Sequence, residues 1–263
     1  MIDDMATSQV NTTIAPAARR AVSKVPEVTA YFWIVKILTT GMGETTSDYL
    51  AHRLDPIVAV LLTGTLLAAA LALQFRARTY IAWKYWASVT MVSVFGTMAA
   101  DVLHVVLGVP YLVSTAFFAA ALALVFTVWY ASERTLSIHG IVTARRELFY
   151  WATVMTTFAL GTATGDMTAV TGHLGYLASG VAFALLIALP ALAYRWLRMN
   201  AVLAFWAAYV LTRPLGASFA DWMGVSHGRG GLALGTGPVS LVLAVVIAGF
   251  VGYLTATRKD TAR

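Results

Sequence analysis

Cysteine is absent from this 263-residue sequence, and charged residues are scarce. Without thiols the chain cannot form a disulfide, a thiolate metal site, an iron–sulfur cluster or a cysteine nucleophile. Charged residues make up 11% of the chain, whereas a soluble domain carries about 25%. This shortage excludes a secreted, cytosolic or disordered protein, because too few charges remain to cover a surface that faces water.

Long apolar runs fill most of the chain. Hydrophobic residues make up 59% of it, and the mean hydropathy is +0.76. A helix needs roughly 20 apolar residues to cross about 30 Å of hydrocarbon. Runs of this length lie near 27–50, 56–75, 82–107, 111–131, 147–171, 174–195, 201–223 and 238–257. We therefore expect an all-α integral membrane protein with eight transmembrane helices and the lipid bilayer as its main partner.

The basic residues predict the orientation of these helices. Most of the 18 Lys and Arg residues flank the end at which the odd-numbered helices begin, and only Arg53 and Arg229 lie in connections at the other end. The positive-inside rule then places both termini in the cytoplasm. Residues 1–24 are expected to form a cytoplasmic tail, 25–257 the membrane domain and 258–263 a second tail. The net charge of +6 fits loops against anionic lipid, so no nucleic-acid partner is expected.

Four segments of the sequence repeat one pattern. Each has an aromatic residue followed by Trp, then Gly ten residues after the Trp and Asp fifteen residues after it. The copies are Trp33, Gly43 and Asp48; Trp86, Gly96 and Asp101; Trp151, Gly161 and Asp166; and Trp206, Gly216 and Asp221. Each copy spans two predicted helices, so residues of about 27–76, 80–131, 145–195 and 200–257 form four parallel two-helix repeats.

The segments VPEVTAYFWIVKILTTGMGETTSDYL, GTATGD and LTRPLGASFAD resemble a bacterial family described as uncharacterised membrane-anchored proteins. That family is built from four repeats of a domain of unknown function. The resemblance covers nearly all of the chain after about residue 24. It implies a multi-pass protein of the bacterial inner (plasma) membrane, and it implies no activity.

The repeated aspartates are the candidate functional residues. Fifteen residues at 1.5 Å each place every Asp about 22 Å beyond its Trp, in the outer third of the membrane. A charged side chain at mid-span costs about 2.5–3.5 kcal/mol on insertion scales, and such residues usually serve a function. One helical turn before each Asp, on the same face, the four repeats carry Glu44, Thr97, Thr162 and Ala217.

Five acids lie within the predicted spans, against the two bases Lys36 and Arg213. Since a buried site cannot hold this excess of negative charge, either some carboxylates are protonated or a cation is bound. Alternation between these states predicts a proton-coupled secondary transporter of a divalent metal cation, Mn-like or another transition metal, and not an enzyme. The metal would be the substrate, with no permanently bound cofactor. The predicted metal ligands are Glu44, Asp48, Asp101, Asp166, Asp221, Thr97, Thr162 and His104.

Other interpretations of the same residues stay open. Arg213 and Lys36 could bind an anionic or organic solute, or Asp and His could hold a metal in a membrane-embedded hydrolase. The repeated Trp residues are typical of anchors at the membrane interface, and the repeated Gly residues of close helix packing. Lys36 is expected to extend to the cytoplasmic surface and Arg213 to neutralise Asp221 or Asp166. No oligomeric state is predicted.

Overall fold

The computed structural model describes residues 23–261, apart from the side chain of residue 105, and all of the long elements in this part of the chain are helices. Most of the predicted N-terminal tail (1–22) and the last two residues of the C-terminal tail (262–263) lie outside it. The eight α-helices are α1 (Ala30–Arg53), α2 (Pro56–Phe75), α3 (Ala82–Asp101), α4 (Tyr111–Glu133), α5 (Ala144–Asp166), α6 (Gly175–Trp196), α7 (Ala201–Gly224) and α8 (Thr236–Thr257).

Local sequence explains where several helices begin. The side chains of Thr29 and Asp55 accept hydrogen bonds from the first free backbone amides of α1 and α2, and Asn200 caps α7 in the same way. Pro56 stands at the first position of α2, where its missing N–H costs nothing. These helices match the eight apolar runs of the sequence to within a few residues.

The odd-numbered helices form a closed inner ring. Helix α1 packs on α3, α3 on α5, α5 on α7, and α7 returns to α1. The even-numbered helices lie outside this ring, and each packs mainly on the odd helix of the next repeat: α2 on α3, α4 on α5, α6 on α7, and α8 on α1. The four repeats therefore close into a circle, as expected for parallel copies of one unit.

Six of these helices are long and apolar enough to cross a membrane, namely α2, α3, α4, α6, α7 and α8. The outer helices expose large apolar side chains such as Leu61, Phe117 and Leu241, each at least 60% exposed. Helices α1 and α5, with 24 and 23 residues, have similar lengths but carry more polar side chains. They belong to the inner ring, where neighbouring helices cover them. The chain is a multi-pass membrane protein.

The two ends of the bundle differ in charge and packing. One end, which we call the basic end, carries the residues Arg76, Arg78, Arg145, Arg146 and Arg258. There the segment before α1 is fixed by a buried ion pair of 2.6 Å between Lys24 Nζ and Glu147 Oε2, to which Gln74 Nε2 also donates. The opposite end carries the four repeat aspartates, and we call it the aspartate end.

Candidate functional site

Sixteen residues of the inner ring, most of them polar, lie in four levels along its axis. Residues 3, 7, 11 and 15 positions after each repeat Trp share one face of each odd helix, because they are about one turn apart. Successive levels are about 6 Å apart along the helix. Level 3 contains Lys36, Val89, Val154 and Tyr209; level 7 contains Thr40, Ser93, Phe158 and Arg213; level 11 contains Glu44, Thr97, Thr162 and Ala217; level 15 contains Asp48, Asp101, Asp166 and Asp221.

Burial changes along these levels. Every residue at levels 3, 7 and 11 is buried, with at most 4% of its surface exposed. At level 15, Asp48, Asp101 and Asp166 are partly exposed, and Asp221 is buried. Level 15 is therefore the one level of the four with partly exposed residues, and the three levels below it are buried.

The repeat glycines hold the ring together by a cyclic contact. A Cβ atom at Gly43 would overlap the side chain of Ser93, and one at Gly161 would overlap the side chain of Arg213. In the same way, a Cβ atom at Gly96 would overlap the side chain of Phe158, and one at Gly216 would overlap the side chain of Thr40. Each glycine thus makes room for the level-7 side chain of the following repeat, which supports the close-packing interpretation of the sequence. At Gly161 this space receives the aliphatic stem of an arginine.

The guanidinium of Arg213 connects all four repeats. Its Nη2 lies 2.5 Å from Glu44 Oε2 of the first repeat and 2.7 Å from Thr162 Oγ1 of the third. Nη2 also donates to the hydroxyl of Thr97 in the second repeat, and Nη1 donates to the carbonyl of Thr40 over 3.2 Å. Arg213 itself belongs to the fourth repeat and has no exposed surface.

This arrangement differs from the sequence expectation for Arg213. The expected partner was Asp221 or Asp166, but the carboxylate in contact is that of Glu44, one level below the aspartates. Nη2 has two protons and three acceptors within reach, so its acceptors compete. The hydroxyls of Thr97 and Thr162 meanwhile donate to backbone carbonyls of their own helices. In this conformation both threonine oxygens are therefore engaged by the guanidinium.

Lys36 is buried, contrary to the expectation that it would extend to the surface. Only 1% of Lys36 is exposed, and its Nζ has no hydrogen-bond partner among the described residues. Nζ lies 3.8 Å from the ring centre of Phe158 and 4.2 Å from that of Tyr209. A cation so placed gains from the ring quadrupoles, but no acceptor accompanies it.

The aspartates form an electrostatically linked group. Each of the four interacts with both Glu44 and Arg213. Asp101 also accepts a hydrogen bond of 3.4 Å from Ser47 Oγ. Asp101 and Asp166 end α3 and α5, and π-helical turns follow at Val102–Val106 and Met167–Thr171. Such turns are rare and often mark functional sites.

The predicted ligand His104 has other partners in this conformation. Its Nδ1 lies 3.1 Å from the Val109 carbonyl and its Nε2 lies 3.3 Å from Ser114 Oγ. His52 and His227 likewise contact backbone carbonyls. Within residues 23–261 no three side chains of His, Asp or Glu are grouped so that they could hold a metal ion. The structure thus brings the acids into one electrostatic group without His104, and their role as ligands stays a prediction.

Aromatic side chains close the ring towards the basic end. Trp86, Trp151 and Trp206 are at most 4% exposed, so they pack in the core and do not act as anchors at the interface. Trp33, the fourth repeat Trp, is partly exposed, and for it the anchor interpretation stays a prediction. Beside them the hydroxyls of Tyr85 and Tyr150 lie 2.5 Å apart. These tyrosines stand at the aromatic position before the repeat Trp, and this contact between the neighbouring helices α3 and α5 was not foreseen from the sequence.

Arg229 is a further charge that the sequence analysis left without a role. It lies in the connection between α7 and α8, where its Nη2 donates to the hydroxyl of Tyr176 over 2.5 Å. It interacts electrostatically with Asp221 and Asp48. The sequence could not predict that Arg229 lies near the aspartates, because Arg229 falls in a connection outside the predicted spans.

The four-fold arrangement agrees with the comparison to known families. The model of the family described as Repeat of Unknown Function (DUF347) matches residues 31–80, 84–135, 149–200 and 204–260. The chain belongs to this family. No curated protein and no solved structure matches the DUF347 chain. The four matched segments coincide with the repeats that the Trp, Gly and Asp pattern predicted.

Proposed function

We propose that this DUF347 protein is a proton-coupled secondary transporter. It would span the bacterial inner membrane eight times, with α1 and α5 as the two polar spans and both termini in the cytoplasm. In this orientation the aspartate end faces the periplasm, and the polar levels form the transport path. The protein would act as a carrier and not as an enzyme.

The observation that carries this proposal is the position of Arg213. One guanidinium joins all four repeats just below the level at which the partly exposed aspartates give way to buried residues. Charges buried within a membrane protein are costly, and most of them mark substrate or ion pathways and proton relays. A merely structural ring would have no need of a charged residue in only one of its four copies.

Proton coupling follows from the competition for this guanidinium. Protonation of Glu44 would remove the charge that holds Nη2, and the same effect would follow if a cation bound the aspartates and repelled Arg213. Release of Arg213 would loosen the contact among the repeats and permit the ring to open below level 11. Proton and substrate would then both shift the ring from its closed to its open state.

A divalent metal cation, Mn-like or another transition metal, remains our first candidate for the substrate. Carboxylate and hydroxyl oxygens are suitable ligands for Mn²⁺ and similar ions. Because Thr97 and Thr162 now contact Arg213, the cation would bind first at level 15. It would reach level 11 only after the guanidinium moves away.

Lys36 supports a second candidate, a carrier of an anionic or organic solute. Lys36 lies at level 3 and Arg213 at level 7, but Glu44 is in contact only with Arg213. Both Lys36 Nζ and Arg213 Nε have no acceptor among the described residues. An anionic group of a solute would supply the missing acceptors, and the aspartates would then relay protons.

Binding to the purified full-length protein in detergent tests the proposal and separates the two candidates. The unfolding temperature would be measured with Mn²⁺, Fe²⁺, Co²⁺, Ni²⁺, Zn²⁺, Mg²⁺ and Ca²⁺ and with small carboxylates, at pH 6 and pH 8. A ligand at about 100 times its dissociation constant adds roughly 2.7 kcal/mol to stability. Stabilisation by one divalent cation, lost in Asp101→Asn and weaker at pH 6, would support metal transport. Stabilisation by anions that is lost in Lys36→Met would favour the second candidate.

The same experiment can contradict the proposal. If no cation and no anion stabilises the protein at either pH, the polar levels do not form a substrate site. Asp55→Asn serves as the control, because it makes the same chemical change at an exposed helix cap, where Asn is as good as Asp.

A further inference from the structure

A short segment before α1 crosses the basic end of the inner ring. The backbone N–H of Lys24, in this segment, donates to the Ile141 carbonyl over 2.9 Å, just before the start of α5. Because α1 and α5 each pack on α3 and α7, they stand at opposite positions of the ring. The segment therefore runs over the end of the ring, from the start of α5 to the start of α1. We call residues 23–29 the strap.

Two further backbone hydrogen bonds fasten the strap to other parts of the basic end. The Ser23 carbonyl accepts a hydrogen bond of 3.0 Å from Tyr80 N, in the connection between α2 and α3. Glu27 N donates to the Asp260 carbonyl over 2.9 Å, in the segment after α8. The strap thus joins three separate connections that surround the end of the ring.

One buried ion pair fixes the strap to the inner ring itself. Lys24 Nζ lies 2.6 Å from Glu147 Oε2, in the first turn of α5, and the two residues are 8% and 1% exposed. Gln74 Nε2 donates to Glu147 Oε1 over 3.1 Å and to the Lys24 carbonyl over 3.3 Å. Release of the strap would separate Lys24 from Glu147 and expose both charges to water.

The kinds of contact that hold the strap favour such a release. Hydrogen bonds to the strap can be exchanged for bonds to water at small net cost, and the desolvation of a buried ion pair offsets much of its attraction. Val25 and, less completely, Val28 are the strap residues that pack in the apolar core. Gln74 Oε1 is buried and has no hydrogen-bond partner among the described residues, which destabilises the docked arrangement. A small free-energy difference therefore separates the docked strap from a released one.

We propose that the strap is a movable gate at the basic end of the ring. With Lys24 and Glu147 paired, the strap covers this end; when the pair separates, the strap leaves the start of α5 and uncovers the end of the ring. This inference rests on the proposed transport function, for which the strap supplies the element that opens the cytoplasmic side. None of its residues belongs to the four levels.

A cysteine on the strap reports its release without any substrate. Val25→Cys places a single thiol at a position that is 7% exposed. In the full-length protein in detergent, a small maleimide should label this thiol at least about tenfold faster after Glu147→Gln, because breaking a buried pair from one side is strongly destabilising. Glu133→Gln is the matched control, since Glu133 pairs with Arg145 and Arg146 at the same end, and it should leave the rate unchanged. Equal labelling rates in the two variants would overturn the proposal.

Hydrogen exchange of the natural chain provides a second measurement, which decides the question if Glu147→Gln does not fold. The amides of Lys24 and Glu27 should exchange at least about tenfold faster than those in the middle of α5, because they open with the strap and not with the ring. Exchange as slow as that of α5 would overturn the proposal.

A locked strap connects the gate with transport. Glu27 Oε2 lies 3.8 Å from His139 Nδ1, and both side chains are partly exposed, so a short bifunctional thiosulfonate can join Glu27→Cys to His139→Cys. Flux into liposomes should be lost on cross-linking and return on reduction, and undiminished flux after complete cross-linking would overturn the gate. An absence of flux before cross-linking would contradict the transport proposal instead, and the labelling rates would then decide whether the strap moves.

Discussion

At the scale of single residues, the interior is organised by two bases and one glutamate. Arg213 has four hydrogen-bond acceptors from three repeats and belongs to the fourth. Lys36 lies one level below and has no acceptor among the described residues. This pair breaks the four-fold symmetry of the sequence, because the other repeats carry Thr, Ser or Phe at the position of Arg213 and Val or Tyr at that of Lys36. Charge is thus concentrated between the first and fourth repeats.

Removal of Arg213 should expose the cost of a buried unpaired charge. In Arg213→Met, Glu44 loses its partner at a site where it is only 4% exposed, and breaking a buried pair from one side costs about 3–5 kcal/mol. The double variant Glu44→Gln, Arg213→Met removes both charges and should regain most of this loss. Unfolding by denaturant in detergent measures both. A double variant no more stable than Arg213→Met would contradict the ion pair.

At the scale of helices, the ring depends on the contact between each repeat glycine and the next level-7 side chain. This contact fixes which helix follows which, and it orients the polar faces towards the axis. The glycines Gly249 and Gly252 on the outer helix α8 differ from these: apart from the adjoining backbone of α8, none of the described atoms lies within 4 Å of a Cβ built at either position. Glycines of the same chain therefore differ in whether they can accept a methyl group.

Alanine substitutions should have opposite effects at these two kinds of glycine. In Gly216→Ala the new Cβ would overlap Thr40 and the backbone of Ile37, and such overpacking costs typically about 1–3 kcal/mol. In Gly252→Ala the substitution meets open space, and helix propensity alone favours Ala by about 1 kcal/mol. Unfolding temperatures of the two variants check this, and equal values would show that the glycine contact does not hold the ring.

At the scale of the whole molecule, the two ends of the bundle differ in burial. Partly exposed aspartates lie at one end, and buried aromatic residues together with the Lys24–Glu147 ion pair close the other. If the basic end faces the cytoplasm, as the distribution of Lys and Arg predicts, the partly exposed aspartates lie on the periplasmic side and the buried levels on the cytoplasmic side. A carrier would need a second conformation with the opposite access.

Single introduced cysteines can test this orientation, because the chain has no cysteine of its own that would react with a labelling reagent. Ser226 lies in the exposed connection at the aspartate end, and Ser132 lies exposed near the basic end of α4. We expect a membrane-impermeant maleimide to label Ser226→Cys in cells whose outer membrane is permeable to it. Ser132→Cys should react only after the inner membrane is opened. The reverse pattern would show that the aspartate end faces the cytoplasm.

Much of the fold, and less of the site, follows from the sequence. Apolar runs predict the eight helices, and the Trp, Gly and Asp spacing predicts the four repeats, because both signals are local. The partner of Arg213 could not be predicted, since Glu44 lies 169 residues away and the order of helices around the ring is set by packing. Lys36 was expected at the surface because it lies near the start of α1, but the surrounding helices cover that face.

Flux through the protein in sealed liposomes tests the central claim most directly. Purified protein would be reconstituted with a divalent-cation dye and a pH dye inside, and Mn²⁺ would be added outside. We predict cation entry together with a pH change of the lumen, both abolished in Asp101→Asn and Asp166→Asn and retained in Asp55→Asn. Undiminished flux in both aspartate variants, or cation entry without any proton movement, would contradict proton-coupled transport through the aspartates.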